Sequence, residues 1–139
     1  MTTTQILEKI PEKISHDEVL QVMVKERIYS RYLKLFKVLT VLSDEAISDN
    51  LNMNVKTFRK YRDTKAHPTN PLLQEQIILL TSLFKHALDI FGSKEELTEW
   101  FSKPNFFFGK KTPLSYLKTI SGIKFVDDRL TSMEYGDNA

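Results

Sequence analysis

The sequence predicts an all-α fold, and three observations carry that reading. Apolar residues recur at three- and four-residue steps along most of the chain, the period of a helix that buries one face. Capping residues stand where those periodic stretches begin. Only four glycines and five prolines occur in 139 residues, too few for the many turns of a sandwich or barrel. No stretch alternates as a strand would, and no internal repeat is present.

The elements follow in order. Residues 1–16 read as a flexible N-terminal arm, acidic in places and without the apolar run of a signal peptide. Ser15 and Glu18 are spaced as a capping box. From there Val19, Leu20, Met23, Val24, Ile28, Leu35, Val38, Leu39 and Leu42 keep helical phase, with a break near Tyr29-Ser30 that makes two helices. Ser43 caps a short helix whose first turn holds Asp44 and Glu45, acids suited to the positive end of the helix dipole. Asn52 is the residue for a left-handed turn, and Asn54 caps a further helix from Val55 to about Asp63.

Residues 64–71 are polar with two prolines and read as a connection. Asn70-Pro71 is a strong helix start, and that helix runs to Gly92. Ser93 with Glu96 opens a short helix to Ser102. Thr112-Pro113 opens another that ends near Gly122, and the last spans about Lys124 to Tyr135. The organisation predicted is an arm over 1–16, a helix-turn-helix lobe over 17–66, a linker over 67–71 and a second helical lobe over 72–139.

Composition narrows the function. With no cysteine there are no disulfides, thiolate metal sites or cysteine nucleophiles, which fits a reducing, cytoplasmic setting. No apolar run reaches the roughly 18 residues of a membrane span, so no membrane partner is expected. The net charge of +2 is divided unevenly. Residues 1–70 carry 12 Lys and Arg against 9 Asp and Glu, whereas residues 71–139 carry 8 against 9. The excess concentrates in Lys56–Lys65, with five basic residues and one acid.

That basic block lies on the second helix of a helix-turn-helix pattern. Ile47, Leu51, Met53, Phe58 and Tyr61 stand where its packing residues belong. Asn54, Val55, Lys56, Arg59 and Lys60 are then the exposed candidates for DNA, the N-terminal end of the helix entering a major groove. The competing reading of the pattern is a hairpin used only for packing.

No catalytic constellation appears. His16, His67 and His86 are scattered, and Gly109-Lys110-Lys111 lacks the glycines and Ser/Thr of a phosphate loop. Asp127 and Asp128 point about 100° apart on a helix and read as solvated first-turn acids rather than metal ligands. The expectation is therefore no enzyme, no metal and no cofactor. Phe106, Phe107 and Phe108 stand together in a loop and cannot all face one core. Phe107 is the candidate outward member, at an interface.

Over about residues 40–136 the chain resembles the MbcA/ParS/Xre antitoxins, partners of RES-domain toxins. The landmarks are Ala87, Phe91-Gly92, Trp100, Pro104-Asn105, Gly109, Thr112-Pro113, Gly122 and Glu134-Tyr135-Gly136, after a helix-turn-helix. The chain departs from the pattern at Lys110, where a second glycine is common. The resemblance implies an antitoxin of a type II module. It would neutralise a RES-type toxin that consumes NAD or transfers ADP-ribose, by blocking the active-site entrance with the segment from Val126 onward. It implies a homodimer, operator DNA as a second partner and repression of its own operon. Arg129, Glu134, Tyr135 and Gly136 become the candidate toxin contacts. A free-standing helix-turn-helix regulator without a toxin is the second reading.

Overall fold

The computed structural model describes residues 16–25, 29–66 and 68–136, together with Gln5, Leu7, Glu8 and Ile10. Among the described residues the elements are α1 (His16–Lys25), α2 (Tyr29–Leu39), α3 (Asp44–Asn50), α4 (Val55–Asp63), α5 (Pro71–Phe91), α6 (Lys94–Ser102) and α7 (Ile120–Glu134). Two 3-10 turns, η1 (Phe106–Phe108) and η2 (Pro113–Tyr116), lie between α6 and α7. The fold is all-α, as predicted.

α5 is the axis of the molecule. Every residue from Gln76 to Phe84 is buried, so this helix is enclosed on all sides rather than along one stripe. α1, α2, α6 and α7 pack on it, and α4 packs on α2 and α3. Two buried polar side chains on α5 donate to backbone carbonyls. Thr81 bonds back to the Ile77 carbonyl at 2.7 Å, and Gln76 donates through Nε2 to the Asn50 carbonyl at 2.7 Å.

One apolar cluster runs from Ile10 and Val19 through Phe36, Phe58 and Phe84 to Leu130. Phe84 links two rings of it, edge-on to Phe36 at 5.8 Å and to Phe101 at 5.3 Å between ring centres. Within the segment predicted as an arm, Ile10 belongs to this cluster, and Lys85 donates to the carbonyls of Leu7 and Ile10. The Ser15 cap lies outside the described residues.

The predicted caps hold the helices. Ser43 accepts from the Ala46 amide, Asn54 from Thr57, Asn70 from Leu72 and Ser93 from Glu96. Asn52 takes the left-handed conformation expected of it, with φ +58°. Three predictions need correction. Thr112-Pro113 opens a single 3-10 turn rather than an α-helix, and the final helix begins at Ile120, capped by Thr119. Gly122 therefore lies inside the first turn of α7 and does not end a helix. Leu20, Val24 and Val38, counted in the apolar repeat, face outward at 58%, 82% and 46% exposure. The repeat is wider than the face that α5 covers, because α1 and α2 lie at the margin of the molecule.

Candidate functional site

Two exposed regions stand out. The first is the pair α3 and α4 with the turn Leu51–Asn54 between them. Ile47, Leu51 and Phe58 are buried, and Met53 and Tyr61 pack against the core, which fixes the crossing of the two helices. Lys56 and Lys60 are exposed on α4, and Val55 is half-buried.

Arg59 is differently placed from the lysines. Its Nε donates to Asp44 at 3.0 Å and its Nη2 to Glu45 at 3.3 Å. Arg62 donates to the same Asp44 at 2.7 Å, and its guanidinium lies 5.3 Å from the centre of the Phe58 ring. Burial pushes the Asp44 carboxyl up, but the hydrogen bonds from Arg59 and Arg62 outweigh it and hold the group below its ordinary range. Much of the basic block thus braces α4 against α3. Asn54 likewise spends its Oδ1 on the helix cap.

The turn before α4 is fastened to the C-terminal half of the chain. Asn52 Nδ2 donates to the Lys118 carbonyl at 2.8 Å, and the Lys118 ammonium lies 3.3 Å from Asp49.

The second region is built by α7 and the turn at η1. Asn105 accepts from the Phe107 amide and starts the 3-10 turn, and Gly109 closes it at φ +64°. Three residues per turn send the three phenylalanine rings about 120° apart. Phe108 goes into the core, Phe107 is 46% exposed, and Phe106 is 88% exposed. The most outward member is thus Phe106, not Phe107. Phe107 stacks on Phe125 at 5.9 Å, and the Arg129 guanidinium sits 4.3 Å above its ring. Lys110 occupies a left-handed position at φ +66°, the place where a glycine is expected.

At the far end of α7, His86 of α5 bonds two carboxylates at once. Its Nδ1 lies 2.7 Å from Asp127, and its Nε2 pairs with Glu134. Two acceptors require two N–H donors, so the ring is an imidazolium. The Asp127 hydrogen bond raises its pKa most, burial opposes it, and Glu134 adds to the rise, giving about 9. Asp127 is buried, which corrects its reading as a solvated first-turn acid. Beyond this pair Tyr135 is 78% exposed, and Gly136 turns the chain at φ +101°.

Residues 86–136 match the family described as the antitoxin Xre/MbcA/ParS C-terminal toxin-binding domain. The likeness is confined to this segment. The match takes in just over a third of the chain and begins at His86 itself. A search of curated proteins found no match. The likeness supports an antitoxin role in a toxin–antitoxin pair, with a toxin as partner.

Within the toxin-binding domain the predicted contacts do not form one cluster. Arg129 sits over the η1 turn, whereas Glu134, Tyr135 and Gly136 lie at the end of α7. Glu134 is engaged by His86, so Tyr135 is the side chain there most open to a partner. The residue missed by sequence reasoning is His86. A signal for it exists, because Asp127 falls in phase with Ile123 and Leu130 on the buried stripe of α7. An acid in that stripe needs a buried donor. No described helix is long and apolar enough to cross a membrane.

Proposed function

We propose that this protein is the antitoxin of a type II module, neutralising a RES-family toxin that consumes NAD or transfers ADP-ribose. The observation that carries this reading is the match to a toxin-binding domain over residues 86–136, whose last helix ends at Glu134, held by His86, next to an exposed Tyr135. Tyr135 and Gly136 enter the mouth of the toxin's active site, with Arg129 as a further contact on the same helix. Glu134 acts there as the link to His86. The setting is cytoplasmic.

Co-expression with the product of the neighbouring reading frame tests this. The wild type should restore growth and copurify with the toxin. Tyr135→Ala should weaken the complex roughly 30-fold, the effect of losing an aromatic anchor worth about 2 kcal/mol. Its melting temperature should hold, because the ring is exposed. Neutralisation that survives removal of residues 135–139 would refute the blocking mechanism.

The α3–α4 pair serves operator DNA in a homodimer and represses the module's own operon. Lys56 and Lys60 supply phosphate or base contacts, and Asn54 and Val55 lie at the entering end of α4. Arg59 reaches DNA through Nη1, the guanidinium nitrogen that its carboxylate partners leave free. Changing Lys56 and Lys60 together to alanine should lower the salt slope of operator binding by about two, one for each phosphate that a lysine no longer neutralises. Toxin neutralisation should be unaffected. An unchanged slope in a binding titration from low to moderate salt would remove α4 from the DNA interface.

A further inference from the structure

Between the end of α5, the outer face of α6 and the loop after it lies an open groove of about 410 Å³. Its size falls within the range of sites that hold a side chain or small ligand. Phe91 and Trp100 form one wall, their ring centres 5.4 Å apart and their planes inclined by 37°. Pro104 continues the apolar wall. Glu96 and Glu99 stand on α6 along the same groove. Lys103 also lines the groove, one helical turn on, and its ammonium is taken up by Glu99, which leaves Glu96 as the uncompensated charge there. Glu96 is exposed and has no ion pair among the described residues.

We infer that this groove receives an arginine side chain of the toxin, its guanidinium lying against Trp100 and paired with Glu96. Aromatic faces attract cations through their quadrupole, most strongly the indole. A planar guanidinium both stacks on a ring and offers paired donors to a carboxylate, which an ammonium does not. An apolar ligand would leave the Glu96 carboxylate desolvated without a partner, and an acidic one would be repelled by it. The wall residues and both glutamates lie within the segment 86–136, so the groove is on the domain assigned to toxin binding. It is formed by α6 and the end of α5, whereas the inhibitory end belongs to α7, so it constitutes a second point of attachment. The inference rests on the antitoxin reading proposed above.

The test uses the full chain and the toxin encoded beside it, with affinity measured by titration at low and moderate salt. Glu96→Gln should weaken binding roughly tenfold and Glu96→Lys roughly a hundredfold, with more of the loss at low salt. Neither change should lower the melting temperature by more than a few degrees, since Glu96 is exposed and its backbone N–H, which donates to the Ser93 hydroxyl, is kept in both variants. Glu95→Lys, an equal charge change on the next residue and outside the groove, should bind within twofold of wild type. A wild type that binds toxin while Glu96→Lys binds equally well overturns the inference alone. Equal losses for Glu95→Lys and Glu96→Lys overturn it too, because net charge then explains both. A wild type that binds no toxin overturns the antitoxin reading and this inference with it.

Discussion

Gly122→Ala should destabilise the protein by about 3 kcal/mol, although it improves the local helix propensity. Gly122 lies inside α7, where alanine is intrinsically favoured by about 1 kcal/mol. Space decides the sign. A Cβ at this position would lie 1.7 Å from the Tyr116 carbonyl oxygen and 2.8 Å from its carbon. These are backbone atoms and cannot swing aside as the end of a lysine would. The start of α7 must therefore move away from η2, or the turn must open. Either shift displaces Tyr116, which bonds the Phe108 carbonyl and packs on Phe125. For a domain of this size the loss corresponds to a melting temperature lower by roughly 10 °C, read from the helical circular dichroism signal. Gly92→Ala separates space from conformation. Gly92 has φ +82° with nothing within 4 Å of an added Cβ, so it should cost only about 1–2 kcal/mol. A Gly122→Ala protein as stable as wild type would show that the clash with Tyr116 relaxes freely.

The same glycine shows what is legible in the sequence and what is not. Caps at Ser43, Asn54, Asn70 and Ser93 are readable because a cap is a local event, decided by a side chain and an amide two or three residues away. Gly122 also stands out, but as a helix end, since glycine most often signals a terminus. Its actual reason is the approach of Tyr116 from another element, and nothing local records that. Arg59 repeats the lesson at the candidate DNA face. A basic residue on an exposed helix reads as a phosphate ligand, yet Asp44 and Glu45, 15 and 14 residues earlier, occupy two of its nitrogens. The phenylalanine triplet is legible as a group, with one ring necessarily outward. Which ring points out depends on the 3-10 winding of η1, and that winding favours Phe106. The antitoxin resemblance is specific because it joins many landmarks in order, whereas the interactions that unite those landmarks are beyond its reach.

His86→Leu should cost about 3–5 kcal/mol at pH 7, the usual effect of leaving a buried charge without its partner. The side chain fits the volume, so the loss falls on Asp127, which stays buried in α7 with its donor removed. Adding Asp127→Leu should restore much of the loss, because two apolar residues then face each other where one ion stood alone. The pH dependence follows from the same geometry. The pKa of His86 is raised in the folded protein, from about 6.5 when unfolded to about 9. The folded state therefore binds the proton more tightly, and the stabilisation is complete below pH 6.5. It declines as pH rises and is gone above about 9. Denaturant midpoints of the wild type should fall between pH 6.5 and 9.5, while those of His86→Leu should stay nearly level across that window. Parallel slopes in the two proteins would mean that His86 is not the titrating group. The consequence reaches the proposed inhibitory end. Asp127 and Glu134 lie two turns apart on α7, so one ring ties the middle and the last turn of that helix to α5. Without it the last turn is held to the core mainly by the packing of Leu130 and Met133, and fraying beyond them costs the partner the preorganised anchor. Toxin affinity of His86→Leu should accordingly drop by more than tenfold at a temperature where the variant is still folded, chiefly through faster dissociation.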